Sequence, residues 1–94
     1  MKFSVGDKVY VYNVDLCAAA GIRSFEGKIG TISEITSEIY PYVCKFEGLE
    51  FPHDQAGFFE RELALLLANT KINRKLYPDA KLVDGYLMVR SEDV

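Results

Sequence analysis

Beyond its carboxylates, the side chains of this chain best suited to thiolate or metal chemistry are Cys17, Cys44 and the single histidine, His53. A thiol beside an imidazole can be activated as a thiolate nucleophile. Two sulfurs and an imidazole can begin a zinc site. The spacing speaks against both. A metal knuckle or redox motif sets its sulfurs about three residues apart, whereas Cys17 and Cys44 stand far apart in sequence. Cys44 also alternates with Tyr42 and Phe46 on one apolar face, where a thiol is inert. Glu60 and Glu62, two apart, would not meet on a helix and read as a solvated face. The glycines match neither a phosphate-cradling loop nor a dinucleotide fingerprint. The expectation is a protein with no catalytic residue, no cofactor and no metal site, with both thiols reduced.

Binding chemistry is better represented. Tyr10 and Tyr12 alternate with Val9 and Val11, so a strand turns the two rings away from the core. Tyrosine offers a large contact area with few torsions to freeze, which suits an interface. Arg23, Phe25 and Phe58, in or beside loops, complete a candidate partner-binding set with Tyr10 and Tyr12. Acidic groups around these rings (Asp15, Glu26, Glu47, Glu50, Asp54) would favour a protein with a basic surface. A competing set, Lys71, Arg74, Lys75, Tyr77 and Lys81, interleaves cations with a ring, as single-stranded DNA or RNA requires. Charge weighs against that alternative. Residues 1–66 carry six basic and ten acidic groups, and residues 67–94 carry five and four. An acidic main module repels phosphate.

The elements that must position these groups follow from composition and period. The 94 residues allow one domain, and 49% hydrophobic with 27% charged residues is a globular composition. With no apolar run of about eighteen residues and no signal peptide pattern, the chain reads as cytoplasmic, without a membrane association. A strand after Gly6-Asp7 places Val9 and Val11 in the core. Residues 13–27 form a long loop with a weak helical signal at 15–20. A second strand spans 28–35, where Gly30 suggests a bulge or a sharp bend. A third spans 40–46, with Pro41 at its start or on an edge. Residues 47–57 read as a loop. Residues 58–68 fit either a helix or a turn followed by a strand. Asp84-Gly85 between apolar runs predicts a hairpin of 80–83 with 86–90. An isolated hairpin is marginal in water, so it must dock on the rest of the chain or on its counterpart in a homodimer.

The runs VGDKVYVY, GKIGTISEI, YPYVCKF and FFERELALL, in this order, resemble the small SH3-like barrels. Gly27, Gly30 and Ile32 match the glycine spacing of the KOW-type barrels. Tyr40-Pro41, Phe59 and Glu62-Leu63 match the photosystem I subunit IV family. The resemblance covers residues 3–67 and leaves residues 68–94 without a counterpart. It implies a mainly β protein with an SH3-like small barrel over 1–67, to which the Asp84-Gly85 signal adds a C-terminal β-hairpin extension over 68–94. It also tips residues 62–67 toward a strand. It implies no enzyme activity, since such barrels mostly bind proteins or nucleic acid. With the candidate rings and the acidic charge, the expected role is a non-enzymatic protein-binding one, as adaptor, accessory subunit or inhibitor. Such stand-alone barrels resemble phage products as often as cellular ones, so a phage-encoded, host-directed modulator is one form of that expectation.

Overall fold

A computed structural model describes residues 3–12, 25–37, 39–50 and 54–90. Seven strands form one antiparallel sheet: β1 (Lys8–Val11), β2 (Ile29–Ile35), β3 (Tyr42–Phe46), β4 (Gln55–Phe58), β5 (Leu63–Leu67), β6 (Lys81–Val83) and β7 (Tyr86–Arg90). A 3-10 turn, Glu60–Glu62, precedes β5, and a helix, α1 (Lys71–Leu76), joins β5 to β6. The spatial order is β4-β3-β2-β1-β5-β7-β6. The first four strands form a meander, and β5 returns to pair with β1, opposing Val9 to Leu65 and Val11 to Leu63. β4 and β6 are the two ends of the sheet, which is not closed among the described residues.

Alternation places the core. Val9 and Val11 are fully buried, as are Tyr42, Cys44 and Phe46 along β3. They meet Phe3, Phe25, Ile32, Phe58 and Leu63 in one apolar cluster. Phe25 stacks on Phe46 with ring centroids 4.5 Å apart, and Phe58 meets both rings edge-on at about 6 Å. Offset and edge-to-face rings satisfy the aromatic quadrupole while each buries a large area.

Several expectations need correction. Phe25 and Phe58 are core residues, 6% and 0% exposed, and present no ring to a partner. Residues 55–57 are not loop: with Phe58 they form β4, paired with β3 so that Tyr42 opposes Phe58. The bulge lies not at Gly30 but between Ile32 and Glu34, where the β2–β3 register shifts. Gly30 serves another purpose. A Cβ there would sit 2.7 Å from the Phe46 ring and 3.1 Å from the Lys45 carbonyl oxygen, so the strand needs the missing side chain.

Glu62 is 1% exposed rather than solvated. Its carboxylate accepts the Phe59 N–H at 2.8 Å, closing the turn that aims the chain into β5. Asp54 is likewise buried, so it adds no charge around surface rings. Residues 63–67 are strand. The segment LALLL hides its period because both faces of β5 are covered: Leu63, Ala64 and Leu66 are all buried.

The 80–83/86–90 hairpin joins the same sheet through β7, which pairs with β5 from Ala64↔Arg90 to Leu67↔Leu87. Its Asp84-Gly85 turn has φ of 50° and 82°, the left-handed pair that a two-residue hairpin loop demands. The thiol of Cys17, the helical signal at 15–20, and Arg23, Asp15 and His53 lie outside the described residues.

Candidate binding cleft

The sheet's second face, away from the aromatic core, is built by long side chains crossing β5. Opposed residues share a face, so the register Tyr10↔Ala64 and Ala64↔Arg90 sets these three on one side. Two contacts bridge that side. The Arg90 guanidinium lies 4.8 Å from the centre of the Tyr12 ring. The Lys8 Nζ donates to the Tyr86 hydroxyl at 3.0 Å and sits 4.5 Å from that ring. This hydrogen bond raises the Lys8 pKa above its ordinary value. Cation and ring attract through the ring quadrupole, and the small and aliphatic residues of β5, Ala64 and Leu66, are buried on this side. Tyr10 and Tyr12 are consequently half-buried members of a second layer.

Beside this layer the connection from β5 to β6 forms a cleft. Thr70 caps α1, its hydroxyl accepting the Asn73 N–H at 3.1 Å, and the Asn73 side-chain amide donates to the Ala68 carbonyl at 2.9 Å. These bonds fix a helix that buries none of its own residues. Tyr77 ends it, and the chain turns through Pro78 and Asp79 into β6. Residues 76–81 form one wall, and Tyr12 with Met88–Arg90 the other, around a volume of about 500 Å³. The lining mixes the Leu76, Tyr77 and Met88 side chains with two cations, Lys81 and Arg90, and one carboxylate, Asp79. A second, more open depression at the β2–β3 hairpin, with a volume of about 830 Å³, is lined by residues including Glu34, Ile39 and Tyr40 and has no cation in its wall.

The cleft cuts across the two sets drawn from the sequence. Tyr12, assigned to protein binding, and Tyr77 with Lys81, assigned to nucleic acid, line the same cavity. Tyr10 is outside its lining, and Lys71, Arg74 and Lys75 stand on the helix leading into it. Met88 and Arg90 were not singled out, although a signal existed. Alternation along Tyr86–Arg90 buries Leu87 and Val89 and must turn Met88 and Arg90 the other way.

Chemically the arrangement can hold a ligand. Burial pushes the Cys44 thiol up to about 12, so it stays protonated at neutral pH. Among the described residues no group of three His, Cys, Asp or Glu side chains could hold a metal ion, and no helix is long and apolar enough to cross a membrane. Compared with known proteins, the chain matches no family model, no curated protein and no solved structure.

Proposed function

We propose that this chain is a non-catalytic protein-binding module, an adaptor, accessory subunit or inhibitor, whose site is the cleft between residues 76–81 and the end of β7. One observation carries the reading. The cleft gathers apolar, aromatic and cationic side chains from three separate stretches of sequence around one concavity, the composition that ligand sites favour. Exposed apolar groups continue outward from it along α1, where Ile72 and Leu76 are 72% and 65% exposed. A small protein gains nothing in stability from leaving two large aliphatic side chains in water, so their position beside a cleft supports a contact made with a partner.

The SH3-like reading of residues 3–67 fits this role. It is supported by the order of a four-stranded meander, a 3-10 turn and a fifth strand returning to the first. Binding at the extension places the partner on the part of the chain that the resemblance does not cover.

The test is a pull-down from lysate of the source organism, after nuclease treatment, with the native chain and a Leu76→Ser/Tyr77→Ala variant. The reading predicts proteins retained by the native chain through nuclease treatment and lost from the variant. Capture that disappears with nuclease, or that the double substitution leaves unchanged, overturns it.

A further inference from the structure

We infer that the occupant of the cleft is an acidic peptide segment carrying apolar or aromatic side chains, an inference that rests on the protein-binding reading above. Its basis is unspent positive charge. Residues 71–81 hold Lys71, Arg74, Lys75 and Lys81 against a single carboxylate, Asp79. α1 has no acidic residue in its first turn, and two of its cations, Arg74 and Lys75, stand in its last turn, directly before the cleft wall in sequence. Among the described residues none of the four cations makes an ion pair, in contrast to Arg61 and Arg90, which do have partners. The surrounding chain would readily supply such partners, because residues 1–66 are rich in carboxylates. The positive groups are instead set apart, together with the exposed Ile72 and Leu76 of α1.

The chemistry that complements this surface is a carboxylate near Lys81, with an apolar side chain against Leu76, Tyr77 and Met88. Opposite charge at a rim steers approach and selects partners, while the apolar contact supplies most of the affinity. This reverses the basic partner surface anticipated from the sequence, since cations and not carboxylates dominate the charged lining of the cleft.

A nucleic acid would meet the same cations, but the remaining features favour a peptide. Single-stranded nucleic acid is held by successive rings open for stacking. Here one face of Tyr12 is taken by the Arg90 guanidinium, leaving Tyr77 as the second ring of the cleft. A peptide can also place one or two carboxylates at the cleft and stay neutral elsewhere. A polyanion brings a charge with every nucleotide past an acidic module.

An unbiased display library of linear peptides, panned against the full chain and against Lys81→Glu and Lys81→Gln variants, tests this. Lys81 is exposed, so both variants should fold, and circular dichroism checks that they do. The expected result is enrichment of Asp and Glu beside apolar residues relative to the unselected library. The best binder should weaken about tenfold on Lys81→Glu, less on Lys81→Gln, and further with added salt. Binders that depend on Leu76 and Tyr77 but show no acidic enrichment overturn this inference and leave the protein-binding reading standing. Selection of no peptide, with salt-sensitive binding of oligouridine RNA lost on Lys81→Glu, overturns both.

Discussion

The strands before residue 67 and the extension after it solve different problems with the same sheet. Every member of the aromatic core cluster lies between Phe3 and Leu63. Among the described residues after 67 the buried side chains are Leu87 and Val89, on β7, while α1 buries none and Leu82 of β6 stays largely in solvent. The first region spends its large apolar residues on packing against one another. The second spends Ile72, Leu76 and Leu82 at the surface, beside four cations. A residue's cost to the fold and its availability to a partner are opposed quantities, and here they divide along the chain.

Substitutions can break this comparison, the largest effects first. Phe58→Ala removes a fully buried ring that meets Phe25 and Phe46. It should cost about 3–5 kcal/mol in denaturant unfolding. Ile72→Ala on α1 should cost less than about 0.5 kcal/mol. Similar costs for the two would erase the division. Gly30→Ala forces a Cβ against the Phe46 ring and the Lys45 carbonyl. Because Phe46 is itself packed in the core, the neighbour cannot yield cheaply, and a loss of about 1–3 kcal/mol is expected in the same assay.

The Cys44 thiol sharpens the comparison by pH. Its ordinary value is 9.0, and burial raises it to about 12 in the folded chain. Above pH 9 the unfolded chain sheds this proton while the folded chain keeps it. Stability is therefore undiminished below pH 9 and falls as pH rises toward 12, by up to about 1.4 kcal/mol per unit. Cys44→Ala should show a shallower decline over that window. A slope equal to that of the native chain would mean that the thiol is solvated in the folded state. In a Cys17→Ser background, Cys44 should also resist alkylation at pH 8 until denaturant is added.

The smallest effect concerns the helix alone. Thr70→Ala removes the hydroxyl that accepts the Asn73 N–H. It should lower global stability by no more than about 1 kcal/mol, because α1 buries nothing that would transmit the loss. Local amide exchange in residues 71–76 should nonetheless accelerate.

How much of this was legible follows from the same division. β1 and β3 were readable because each has one covered face, so valines or Tyr42, Cys44 and Phe46 recur at period two. β5 was not, because straps from β1 and β7 cover its second face and leave no polar alternation to read. Phe25 and Phe58 were misplaced for a related reason: turn signals beside a ring do not reveal that its side chain folds inward. Glu62 looked like surface because its role, accepting the Phe59 N–H in a tight turn, depends on a 3-10 geometry that periodicity cannot specify. The cleft was half legible. Its rings and cations were visible, but they fell into rival sets, since only the β5–β7 pairing brings residues 76–81 to Tyr12.

Native-state hydrogen exchange of the free protein tests the central claim, that the fold is held before residue 67 and the binding surface is carried after it. The account predicts the slowest exchange in β1, β2, β3 and β5, approaching the global unfolding free energy, with residues 71–83 opening at markedly lower cost. Protection in α1 and β6 equal to that of β2 and β3 would contradict it, placing the extension inside the cooperative core.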